Sequence, residues 1–125
     1  MNIIRTDNAP RAIGPYSQGI IANGFLFTAG QIPLDPKTME MVEGGIEEQT
    51  KRVLKNLEAI LKSAGADKKN VIKTTVFLKD LNDFQEMNKV YEVFFENHKP
   101  ARSTLQVAKL PKDALVEIEC IAHIP

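Results

Sequence analysis

Apolar residues along the chain recur with two periods, and the changes between them mark out the elements. Ile46, Val53, Leu54, Leu57, Ile60, Leu61 and Ala64 share one face at helical spacing, which predicts a helix over 46–64. Glu47 and Glu48 stand in its first turn and Lys62 in its last, as the helix dipole favours, and Gly65 offers a left-handed stop. A second helix is expected to open on the capping-box-like pair Asn82 and Gln85, with Phe84, Met87, Tyr91, Phe94 and Phe95 as its apolar stripe. Pro100 keeps its predecessor out of the α region, so this helix should stop near Lys99.

Elsewhere the period is two. Residues 2–6 read as a short strand, and 19–30 as a hairpin turning on Asn23-Gly24. Residues 70–79 are rich in β-branched side chains, with Ile72, Thr74, Val76 and Leu78 alternating against Val71, Lys73, Thr75 and Phe77. The run 101–107 puts Arg102, Thr104 and Gln106 on one face and Ala101, Ser103, Leu105 and Val107 on the other. The last strand, 115–124, buries Val116, Ile118, Cys120, Ala122 and Ile124. Residues 8–19 and 31–43, with Pro10, Pro15, Pro33 and Pro36, are irregular connections. The order β-β-β-α-β-α-β-β predicts one α+β domain spanning 1–125. Its form is a two-layer sandwich, one mixed sheet of about six strands with two helices on one face. The unit from 70 to 107 should be a right-handed parallel crossover. Two helices cover only one face of such a sheet, so the other is either wet or meets another copy of the chain.

Composition narrows the function classes. At 125 residues the chain is long enough to bury about two-thirds of its unfolded surface. Sixteen basic and sixteen acidic residues cancel, leaving no surplus to neutralise phosphates, so nucleic acid is not an expected partner. The single cysteine, Cys120, excludes an internal disulfide framework and fits a reducing compartment. On the strand's apolar face it should be an inert core thiol. No signal-like segment and no run of about 18 apolar residues occurs, which leads to the expectation of a soluble, cytoplasmic protein.

The residues that carry candidate chemistry are few. Arg102, flanked by hydroxyls at the start of a strand, offers a planar fork for a carboxylate or phosphate; the plainer alternative is a surface ion pair. Glu117 and Glu119 project side by side from the last strand, about 7 Å apart, either as a tunable general base with its neighbour or as two solvated acids. Tyr16 tips a proline-rich loop, lining a site or packing at the loop base. No metal-ligand spacing, phosphate-binding glycine loop or nucleophile elbow is present, so neither metal nor cofactor is expected. This set can hold a small carboxylate beside a water, but it does not specify a reaction.

Four stretches resemble the Rid (YjgF-type) family, in particular its RidA branch. They are 9–18 (APRAIGPYSQ), 28–33 (TAGQIP), 74–84 (TTVFLKDLNDF), and the block from Pro100-Ala-Arg-Ser103 through Val116-Glu-Ile-Glu119. The resemblance implies a chorismate-mutase-like homotrimer with sites between subunits. It also implies hydrolysis of the imine and enamine products of pyridoxal-phosphate enzymes, such as 2-aminoacrylate and 2-iminobutanoate, to 2-keto acids and ammonia. Under it Arg102 binds the substrate carboxylate, Glu117 positions or activates the water, and Tyr16, Gly30 and Thr104 line the pocket. Departures are Ala29 where many relatives carry serine, Thr104 where several carry cysteine, and Met39 in place of a loop glycine. The first two bear on substrate preference, and Thr104 argues against an essential thiol. The rival expectation is a non-enzymatic small-carboxylate-binding or protein-interaction module, of translation-inhibitor or chaperone-like type, using the same cleft.

Overall fold

The computed structural model describes all 125 residues. Strands β1 (Asn2–Ile4), β2 (Gly19–Ala22) and β3 (Phe25–Thr28) precede helix α1 (Ile46–Ser63). Strand β4 (Val71–Leu78), helix α2 (Phe84–Phe95), β5 (Ala101–Gln106) and β6 (Val116–His123) complete the expected order. They form a single six-stranded sheet, β1-β2-β3-β6-β4-β5, in which β4 and β5 run parallel and every other pair is antiparallel. The late strand β6 thus lies between the hairpin and the crossover unit.

One core joins sheet and helices. Val116, Ile118, Cys120 and Ala122 of β6, with Val76 and Leu78 of β4, meet Val53, Leu57, Ile60 and Leu61 of α1 and Met87 and Phe95 of α2. Asn23 and Gly24, both at positive φ (52° and 80°), make the tight β2–β3 turn, and Gly65 (φ 80°) follows the end of α1.

Several local expectations change. The first strand ends at Ile4, and β5 ends at Gln106. A register shift between Val71 and Lys73 bulges β4, so Val71 joins the core and Ile72 turns outward, reversing the alternation expected for those two residues. The capping box at Asn82 does not form. Asp80 instead accepts from the Asn82 backbone N–H (2.9 Å) and caps a 3₁₀ turn, Leu81–Asp83, that leads into α2. That helix stops at Phe95, four residues before Lys99, because Glu96 adopts φ 57°. Its buried stripe is Met87, Val90, Tyr91 and Phe95, with Phe84 and Phe94 only partly buried.

Cys120 is buried, and desolvation pushes its thiol up to about 12, partly offset by the Thr28 hydroxyl and reinforced by Glu119. It is an inert packing group at neutral pH. Cys120→Ala should cost about 1 kcal/mol for the small cavity it leaves, measured by urea unfolding. The native parent should resist thiol reagents at pH 8, and rapid labelling of folded protein would overturn the assignment.

Candidate functional site

The face of β6 away from the core carries Glu117, Glu119 and Ile121. Immediately after β3 the chain stays alongside β6: Gln31 N–H donates to Ile118 O (2.9 Å), and Ile118 N–H donates to Gln31 O (3.1 Å). This pairing brings Gly30 against Glu117. A Cβ at position 30 would clash with Glu117 Oε2 and lie 2.8 Å from Cδ, so with any other residue here the carboxylate would have to shift from its place.

The proline-rich loop completes this wall. Gln18, buried, fixes it with a four-bond amide network: Oε1 accepts from Thr6 N–H (2.7 Å), and Nε2 donates to Pro10 O (2.8 Å), Thr6 O (3.0 Å) and Ala9 O (3.3 Å). Asn56 of α1, also buried, donates to Ile32 O and Leu34 O and holds the following segment. Between them opens a cavity of about 330 Å³ whose lining includes Tyr16, Ala29, Gly30, Met39 and Glu117. Met39 takes φ 60°, which gives a physical reason for glycine to be favoured there. Arg11 and Lys112, both exposed, also line this cavity.

Glu117 is half-buried, and its pKa is raised, first by desolvation and then by the neighbouring Glu119 charge. It is therefore neither a freely solvated acid nor ion-paired to any basic side chain of its own chain.

Arg102 lies elsewhere. It pairs in register with Thr74, whose side chain is in the core, so the arginine points to the helix-covered side. Its Nη1 donates to Asn88 Oδ1 of α2 (2.7 Å), and its guanidinium carbon sits 4.8 Å from the Tyr91 ring centroid and 5.4 Å from that of Phe84. The surface ion-pair alternative does not hold, since no carboxylate lies within 4.0 Å of it. Thr104, two residues on, pairs with buried Val76, and its Oγ1 is shielded without a hydrogen-bond partner. Tyr16, Gly30 and Glu117 thus share one cavity, while Arg102 and Thr104 stand on the opposite face of the sheet, two strands away. Strand spacings put the Arg102 and Glu117 Cα atoms roughly 14 Å apart within one chain. No three His, Cys, Asp or Glu side chains converge as a metal-binding set. Gln18, Asn56 and Asn88 were not among the sequence-derived candidates; an amide's role is set by partners distant in sequence.

The model of the family described as Endoribonuclease L-PSP, a YjgF/Rid family, matches residues 6–124. The chain belongs to this family. A RutC family protein of Pyrococcus horikoshii is 58% identical over 121 residues, covering 97% of this chain and 96% of that one. The human 2-iminobutanoate/2-iminopropanoate deaminase is 48% identical over 120 residues, covering 96% and 88%. Escherichia coli TdcF, solved with bound serine, superposes with a TM-score of 0.94 at 47% identity, covering 98% of each chain. The YjgF/Rid family includes imine deaminases, and its fold is the one described above.

The raised pKa of Glu117 has a consequence for stability. An acid whose folded pKa exceeds its unfolded value contributes stability at pH below the unfolded pKa, and loses that contribution as pH rises through the folded pKa. Burial penalises the charged form of Glu117, so above the folded pKa Glu117→Gln should melt at a higher temperature than the parent, and the gap should close as the pH falls below 4.5. A pH-independent gap in calorimetric scans would show that the change is one of packing.

Proposed function

We propose that this chain is a homotrimeric deaminase of 2-imino and 2-enamino acids, such as 2-iminobutanoate and 2-iminopropanoate, with each site assembled from two copies. The observation that carries this reading is a half-buried carboxylate of raised pKa, admitted by the missing side chain at Gly30. A protein that only binds small carboxylates gains nothing from a desolvated acid in its pocket, whereas a general base does. The human relative's name points to the same substrate class.

The roles follow from charge and shape. Arg102 takes the substrate carboxylate in a two-pronged grip, Thr104 backs it on the same strand face, and Tyr16 and the Gly30 backbone wall the pocket. Water oxygen bonds to the C=N carbon while the π pair moves to nitrogen. Glu117 takes a water proton and passes it to that nitrogen, giving a carbinolamine. It then carries the hydroxyl proton to the same nitrogen; C=O forms, the C–N bond breaks, and ammonia leaves beside the 2-keto acid. Imines already hydrolyse in water, so orientation and one proton carrier are sufficient without a cofactor.

Assembly from copies has support in the sheet. On the face without helices, register lines up Ile3, Ile20, Phe27 and Ile121 straight across four strands. Ile3 is 69% exposed and Phe27 45%. Ile72 and Leu105 add to the exposed apolar surface of the chain. A second copy covers such a surface, and it supplies an arginine to the Glu117 cavity that a single chain keeps on the other side. Light scattering at micromolar concentration should therefore give three times the 13.9 kDa chain mass. A monomer with full activity would sink the shared site.

The reaction is tested by threonine dehydratase acting on threonine, with imine decay followed with and without this protein. Arg102→Lys keeps the charge but loses the fork, and should reduce efficiency about ten- to hundred-fold. Glu117→Gln should abolish most turnover while 2-oxobutanoate still binds, and the parent's rate should fall as acidification protonates Glu117. If Glu117→Gln works as fast as the parent, the base assignment fails. Loss of activity in Arg11→Ala but not in Arg102→Lys would move the anion grip to Arg11. If the parent does not accelerate imine decay at all, the non-enzymatic binding module takes the place of the enzyme.

A further inference from the structure

Arg102 is held by groups that orient it without cancelling its charge. Asn88 Oδ1 accepts from one Nη (2.7 Å), and the rings of Tyr91 and Phe84 flank the guanidinium. Tyr91 is itself fixed, its hydroxyl 2.7 Å from the Oγ1 of fully buried Thr74. Desolvation raises the Tyr91 pKa, so that hydroxyl remains neutral. The cavity of about 360 Å³ alongside also receives Glu92, His98 and Lys99, yet no carboxylate of the chain reaches within 4.0 Å of Arg102. On the same strand face Thr104 Oγ1 is shielded and has no partner.

An arginine this well placed would ordinarily be met by a carboxylate, which forms stronger, charge-assisted bonds than an amide does. Asn88 has the shape of such a partner with a neutral oxygen in place of a charged one. We infer that Asn88 is a positioning residue for anion capture: its amide fixes the guanidinium plane while leaving the full positive charge for the carboxylate of an incoming 2-imino or 2-keto acid. This rests on the reading of Arg102 as the carboxylate grip. It adds that specificity for a monoanionic carboxylate depends on a neutral acceptor one residue away from the ligand.

The decisive variant is Asn88→Asp, nearly isosteric and a stronger partner for arginine. Charge pairing with Arg102 should leave its melting temperature at or above the parent's, yet weaken 2-oxobutanoate binding by at least about ten-fold in calorimetric titration. Asn88→Ala frees the guanidinium and should weaken binding less, about three-fold, with the rate at saturating imine kept within about two-fold of the parent. A purely structural Asn88 predicts the opposite ranking, with Asp tolerated and Ala harmful. The inference is overturned if Asn88→Asp binds as tightly as the parent, or if Asn88→Ala binds more weakly than Asn88→Asp. It is overturned too if Arg102→Lys binds like the parent, since the grip then lies elsewhere. If the expected ranking is found in a parent that does not hydrolyse imine, the role of Asn88 stands and the deaminase reading is the one that falls.

Discussion

Everything in this fold is placed by the two-sidedness of β6. Its even-numbered side chains, Val116, Ile118, Cys120 and Ala122, are at most 3% exposed, packed between the sheet and its helices. Burial of that set forces Glu117, Glu119 and Ile121 to the far side, because a one-residue slip would send the whole apolar row into solvent. The reciprocal backbone bonds between Gln31 and Ile118 extend the same constraint to the chain after β3. Gly30 is therefore set beside Glu117 by the register of a core strand rather than by any contact between the two residues. The strand that holds the core together also fixes the acid, so the candidate chemistry inherits the stability of the best-packed element.

How much of this the sequence disclosed depended on how local the signal was. Helix α1, the Asn23-Gly24 hairpin and the buried face of β6 were legible because each is written in neighbouring residues with strong apolar contrast. The bulge in β4 was not. Val71 and Ile72 are equally apolar, so the alternation reads smoothly whichever of them turns inward, and the partner strand decides. Asp80 and Asn82 both suit a cap, and nothing in their order says that the first one wins. Least legible were the buried amides. Gln49 accepts from Leu115 N–H across 66 residues, and Asn56 reaches Ile32 and Leu34 across more than 20. Such side chains look like solvated polar residues until the loops they satisfy come into contact with them.

The candidate residues Tyr16, Gly30 and Glu117 were named from the sequence without the cavity they share, and Arg102 without the side of the sheet it faces. Period two correctly grouped Arg102 with Thr104, yet in β5 neither face is strongly apolar, so the pattern alone does not say which looks toward the helices. The structure turns the arginine inward because α2 offers ring faces at Phe84 and Tyr91 and an acceptor at Asn88. Ala101 and Ser103 are left to the open side, where they are exposed. An arginine stem covers apolar surface well while its head stays reachable, which suits it to the rim of such a layer.

This separation lets each half of the candidate site be tuned alone. In one chain the carboxylate of Glu117 feels burial and Glu119, and both raise its pKa. Arg102 feels two aromatic faces and a neutral amide, and its charge stays uncompensated. On the proposed reading, bringing copies together so that Arg102 of one faces Glu117 of another would place a cation near the raised acid and pull its pKa back down. A bound carboxylate would take up that positive charge, and the pKa of Glu117 would rise again, making it readier to accept the proton of an attacking water. On the proposed reading, a substrate anion is thus not only positioned by the arginine: by occupying it, the anion restores to Glu117 the basicity that a free cation would suppress.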